Sequence, residues 1–148
     1  MNATHYRELE VWQLAMSLAK QTYELTAGFP REERYGLSSQ LQRSAVSVPS
    51  NIAEGNARAS TRDYARFISM ALGSNAELQT QLLLSRELSL GEEEHCTSAL
   101  NSCDSVGRML LRLHQALIRK INCESPVPSP QSREYEASEQ LSGVSDRA

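Results

Sequence analysis

Aromatic side chains are scarce in this 148-residue chain, at 5% against 40% hydrophobic residues overall. That balance suits a helical bundle built from Leu and Ala. The three cysteines, Cys96, Cys103 and Cys123, are an odd number without CxxC spacing, so no disulfide framework or thiolate metal clip is implied. Reduced thiols in a cytoplasmic protein are the plain expectation. No apolar run approaches the ~18 residues of a membrane span. The polar start of the chain, with no apolar segment after it, does not read as a signal peptide. A glycine-rich phosphate loop, an HExxH pair and a Ser/His/Asp set are all missing, so nothing points to an enzyme. Excess positive charge is missing too. The formal net charge is −3, and residues 1–121 balance 13 basic against 13 acidic side chains, the tail supplying the deficit. A strong general nucleic-acid binder is usually basic, so any basic surface here must be local.

What the chain does contain is helical periodicity. Leu37, Leu41, Ala45, Val48 and Ile52 recur at steps of three and four, straight through Pro49. A proline inside a helix removes one hydrogen bond and crowds the carbonyl four residues back, that of Ala45, at a cost of ~3 kcal/mol. A fresh helix start with Ser47 as N-cap is the alternative. The unbroken phase favours one kinked helix over residues 37–56.

The other helices follow from similar signals. The first spans residues 8–27, with Leu9, Trp12, Met16, Ala19 and Tyr23 as one apolar stripe. Val11, Ala15, Leu18, Thr22 and Leu25 form another beside it. So broad a face implies burial on two sides, within the bundle and against another subunit. Gly28 and Pro30 stop that helix, and Arg31-Glu32-Glu33-Arg34 reads as a solvated turn. Ser60 caps a third helix over residues 61–88, with Asp63 placed to complete a capping box. Its inward positions are Tyr64, Phe67, Ile68, Ala71, Leu72, Leu78 and Leu82, and Gly73 and Ser74 would admit a neighbouring helix closely. After a break at Ser89-Leu90-Gly91, a fourth helix over residues 92–121 carries the heptad-like series Cys96, Cys103, Val106, Leu110, Leu113, Leu117. Residues 122–148, rich in Pro and Ser and holding five acids against two arginines, read as a disordered acidic tail. The expected fold is an all-α, up-down-up-down four-helix bundle with a Pro-kinked second helix.

Several runs carry a family resemblance: Leu9-Glu10-Val11-Trp12-Gln13, Phe29-Pro30, Tyr35-Gly36-Leu37, Gln40-Leu41, and above all Val48-Pro49-Ser50-Asn51-Ile52-Ala53-Glu54-Gly55. Arg66-Phe67, Ala71-Leu72-Gly73-Ser74 and Glu77-Leu78 extend it. Over residues 5–121 the chain resembles the four-helix-bundle proteins encoded in intervening sequences of bacterial 23S ribosomal RNA genes. That family is similar to the accessory protein of diversity-generating retroelements, a pentameric bundle that binds nucleic acid and a reverse transcriptase. The resemblance implies the fold and a pentameric ring, and makes nucleic acid and a protein partner candidate ligands. The acidic tail departs from the family pattern; it would screen a basic surface or recruit a partner.

Candidate sites are few. Arg58, Arg62 and Arg66, spaced four apart, would form one helical stripe able to grip phosphates. Alternatively they neutralise acids: in a hairpin turning near Arg58, Glu54 falls within reach of Arg62 or Arg66, and Glu77 falls near Arg43. Arg43 completes the candidate nucleic-acid set. Pro49, Asn51, Glu54 and Gly55 form the structural signature, with Asn51 and Glu54 placed to satisfy the carbonyl that Pro49 frees. Glu92 and His95 have the spacing of half a di-iron site, but no second Glu-x-x-His exists. Neither a metal nor a cofactor is expected, and His114 belongs on the solvated face. Two readings compete: a non-enzymatic oligomeric bundle that binds RNA or DNA through local arginines, and a structural or protein-interaction ring with no nucleic-acid role.

Overall fold

A computed structural model describes residues 4–124, and the acidic tail expected beyond Glu124 lies outside them. Four long helices account for most of the described chain: α1 (Glu10–Ala27), α2 (Leu37–Asn56), α3 (Thr61–Glu87) and α4 (Glu93–Glu124). No strand occurs among the described residues. Short 3-10 turns at Tyr6–Glu8 and Arg31–Glu33 precede α1 and α2. Leu9 has extended backbone, so α1 begins two residues later than the periodicity implied. With no proline before Pro126, α4 continues three residues past its expected end.

Each helix packs on two neighbours, α1 on α2 and α4, and α3 on α2 and α4. The α2 stripe is wholly buried, as are Phe67, Ile68, Ala71, Leu78 and Leu82 of α3 and Cys96, Cys103, Val106, Leu110 and Leu117 of α4. On α1, Val11, Ala15, Leu18, Thr22 and Leu25 fill the core, together with Ala19 of the other stripe. Met16 and Tyr23 of that other stripe are about half exposed, and its Trp12, Met16 and Ala19 line an apolar groove against Val46, Pro49 and Ala53 of α2.

Polar side chains fix the helix registers. Gln42 Nε2 donates to Thr26 Oγ1 at 3.0 Å between α1 and α2. Ser44 Oγ lies 2.6 Å from Gln81 Oε1, and Ser47 Oγ lies 2.8 Å from Ser74 Oγ, both between α2 and α3. Asn75 Nδ2 donates to the Cys103 carbonyl at 3.0 Å between α3 and α4. Along α2, rising residue numbers meet falling numbers on α3.

Of two helical glycines, the one expected to sit at a close contact does not, and the one in the signature run does. Gly73 has no heavy atom within 4 Å of where a Cβ would stand, so it mediates no close approach; Ser74 beside it makes the contact with α2. Gly55 sits at a close approach of α2 to α3, its missing Cβ lying 2.7 Å from Phe67 Cβ and 3.0 Å from Tyr64 Cδ2. In the α3–α4 break, Ser89 and Gly91 have φ of 54° and 73°, left-handed values that reverse the chain.

Candidate nucleic-acid interface

α2 is continuous through Pro49. The side chains just after the proline donate back to the preceding turn: Ser50 Oγ to the Val46 carbonyl at 2.8 Å, and Asn51 Nδ2 to the Ser47 carbonyl at 2.8 Å and Ser47 Oγ at 3.0 Å. Their target is therefore not the Ala45 carbonyl that the sequence suggested. Through Ser47, Asn51 joins the contact to Ser74, so it helps to tie α2 to α3.

At its C-terminal end α2 meets the start of α3 through Gly55, packed against Phe67 and Tyr64, and through Asn56, whose Nδ2 donates to Tyr64 Oη at 3.4 Å. The close approach places Phe67 beneath the connection between the helices. Ala57 caps α2 and Ser60 caps α3, with Ser60 Oγ accepting from the Asp63 amide at 3.0 Å. Asp63 supplies no reciprocal bond; its carboxylate instead stands 3.8 Å from Arg66.

Arg58 lies in the connection and not on α3, so the three arginines do not form a single helical stripe. Its guanidinium turns back to Glu54 Oε1 at 2.7 Å, a pair on which the hairpin register had placed Arg62 or Arg66. The same guanidinium sits 4.7 Å from the centre of the Phe67 ring, and that of Arg66 sits at the same distance. One buried ring thus gathers two cations, holding their planar groups at no more than twice that separation. Each cation–ring contact contributes ~0.5–1 kcal/mol at an exposed position. Both arginines keep roughly half of their side-chain surface in solvent.

Arg62 makes no ion pair among the described residues. It lines a groove between α3 and α4 with Arg66, Met70, His114 and Ile118. His114 is half-buried there, not on the freely solvated face. Lys120 joins Arg62 where this groove opens at the end of the bundle. Lys120 is not among the candidate residues read from the sequence, because a basic side chain near a helix C-terminus is already accounted for by the helix dipole. Arg43 stands apart: it borders a shallow depression with Tyr23 and Gln42, about eleven residues and ~16 Å of helix from Glu54. It makes no ion pair with Glu77, whose Oε1 accepts from Gln81 Nε2 at 3.2 Å.

The remaining polar groups offer little chemistry. Glu92 precedes α4, and its Oε2 lies 3.7 Å from His95 Nδ1 on the surface. Among the described residues no three His, Cys, Asp or Glu side chains gather as metal ligands would. Burial pushes the Cys103 thiol up to about 12 from 9.0, with Asp104 adding to it, and raises Cys96 likewise. Neither forms a thiolate near neutrality. No helix among the described residues is long and apolar enough to cross a membrane.

The 23S rRNA-intervening sequence protein model matches residues 7–112. In fold, the chain is similar to a crystal structure of a protein of unknown function from the S23 ribosomal protein family of Bacteroides thetaiotaomicron. The TM-score is 0.63 at 20% identity, covering 70% of this chain and 97% of that one. Among curated proteins none matches.

Proposed function

Since the chain belongs to the 23S rRNA-intervening sequence protein family, we propose that it is a non-enzymatic, oligomeric four-helix bundle that binds RNA or DNA through arginines at the α2–α3 connection. The observation that carries the reading is the pairing of Arg58 and Arg66 on Phe67 with Arg62 close by in sequence and without an ion pair among the described residues. Guanidinium groups held on a ring lose less freedom when they grip phosphate oxygens than free side chains do. Arg43 would be a separate, weaker contact. The helices run up-down-up-down with α2 bent at Pro49, a topology supported by the short connections and opposed register of α2 and α3. The half-exposed stripe of α1 is the surface we assign to a pentameric ring, following the resemblance in sequence, and a cytoplasmic location fits the free thiols.

A second reading keeps the ring and drops the nucleic acid. It draws on the Glu54–Arg58 and Asp63–Arg66 pairs and on the neutral body, and gives the arginines a structural role, with a protein as partner. Labelled structured RNA and duplex DNA, titrated across a salt series with oligomeric mass read on the same sample, separate the two. Binding that weakens steeply with salt, and whose salt slope falls by about one for each of Arg58→Ala, Arg62→Ala and Arg66→Ala, supports the first. An intact ring that binds neither nucleic acid at low salt sinks it.

A further inference from the structure

The α3–α4 groove has a rim made cationic by Arg62 and Arg66 over an apolar floor. Arg62, Arg66 and His114 border it, while Met70 and Ile118, 47% and 39% exposed, lie along it. Arg62 and Lys120 have no ionic partner among the described residues, and Arg66 reaches Asp63 only at 3.8 Å. Such a surface suits an occupant that is acidic and also carries an apolar or aromatic side chain.

The chain supplies one. α4 ends its described course at Glu124, which itself borders the open end of the groove beside Arg62 and Lys120. Further along stands Glu134-Tyr135-Glu136-Ala137-Ser138-Glu139, three carboxylates around one aromatic ring with no basic residue among them. We propose that residues 134–139 dock in the α3–α4 groove of their own chain, carboxylates on Arg62 and Arg66 and Tyr135 against Met70 and Ile118.

The reach is ample. Ile118 and His114 lie ~9 and ~15 Å back along α4 from Glu124. The ten residues between Glu124 and Tyr135 span up to ~33 Å when extended. Tethering favours this occupant over a free acidic peptide, because a short linker holds its end at an effective concentration in the millimolar range. Charge complementarity settles the orientation of the groove toward acid, and the Met70 thioether is a good neighbour for an aromatic edge. The docking stands apart from the nucleic-acid reading. Only its consequence, that residues 134–139 compete with phosphates for Arg62 and Arg66, rests on that reading.

Paramagnetic broadening tests it in the full chain. A nitroxide is placed by Ala137→Cys in a Cys123→Ser background, where the two remaining cysteines are buried. The methyl resonances of Met70, Ile118 and Ile121 are then observed. They are expected to lose most of their intensity, and to recover it near 1 M salt, where the screening length falls to ~3 Å. Glu134→Lys, Glu136→Lys and Glu139→Lys together should also restore it, as should Arg62→Glu with Arg66→Glu; combining both charge reversals should bring the broadening back. The tail substitutions leave the bundle's core untouched, so their effect does not depend on the groove variant folding. Unbroadened methyls in the labelled parent overturn the proposal. So does broadening that appears only when spin-labelled and isotope-labelled chains are mixed, since the occupant would then be a second copy. Measuring RNA binding by the same tail variant keeps the outcomes separate: a protein that binds no nucleic acid yet shows the broadening retains the docking and loses only the competition.

Discussion

Replacing Gly55 with alanine should destabilise the protein, although the same change at an ordinary helical glycine stabilises. Helix propensity alone favours alanine by up to ~1 kcal/mol. At position 55 the new methyl would stand 2.7 Å from Phe67 Cβ and 3.0 Å from Tyr64 Cδ2, where ordinary carbon contacts need ~3.5–4.0 Å. Phe67 Cβ is fixed to the α3 backbone, so the clash is relieved only by moving the start of α3 off the end of α2. Overpacking of this kind costs ~1–3 kcal/mol. The net expectation is a loss on the order of 1–2 kcal/mol, or several degrees in Tm. Gly73→Ala is the internal control, because nothing lies within 4 Å of its Cβ position. It should gain up to ~1 kcal/mol. Urea and thermal unfolding followed by circular dichroism, with both variants run beside the parent, read the two signs. Gly55→Ala as stable as the parent, or more so, would refute the close approach of α2 and α3 at Phe67.

Other expectations are equally direct. Under native conditions a thiol reagent should modify Cys123 rapidly and leave Cys96 and Cys103 unreacted until the protein unfolds, because only Cys123 is exposed. Folded Cys103 keeps its proton up to about 12, whereas an ordinary thiol gives it up near 9.0. Its contribution to stability is therefore complete below pH 9 and declines as pH rises from there, by up to ~1.4 kcal/mol per pH unit. Denaturant titrations of Cys103→Ala should show a shallower alkaline decline than those of the parent. Gly91→Ala should cost ~2–3 kcal/mol, since it combines a left-handed φ of 73° with a Cβ 2.6 Å from Leu25 Cδ1; Gly28→Ala, at φ −86°, should stay within ~0.5 kcal/mol. Glu54→Gln should change stability by no more than ~0.5 kcal/mol, the worth of an exposed i,i+4 pair. If the nucleic-acid reading holds, it should also tighten RNA binding by freeing the Arg58 guanidinium.

The helices were legible because burial has a period. Leu41, Ala45, Val48 and Ile52 repeat every three or four residues, and the energetic penalty for exposing that stripe determines which way α2 faces whatever happens elsewhere. Periodicity does not say which of two adjacent stripes wins. On α1 the row containing Leu18 and Leu25 took the core, while Met16 was left to the groove with α2 and Tyr23 to the depression beside Arg43. Both rows are apolar, and only the placement of α2 and α4 distinguishes them. The glycines fail for a related reason. Gly55 and Gly73 look alike in one dimension, but one lies where two helix axes converge and the other points at solvent. The arginine site was the least readable, because a spacing of four implies a stripe only if the residues share a helix. Arg58 lies in a four-residue connection, so its side chain could turn back to Glu54 and across Phe67, and an ion pair at 2.7 Å formed where helical register had assigned Arg62 or Arg66. A connection between helices obeys local caps and whatever the helix ends bury, here a phenylalanine that a glycine lets pack close under the turn. For that reason Gly55 and Phe67, and not the arginines themselves, are the residues whose replacement should move Arg58 and Arg66 together.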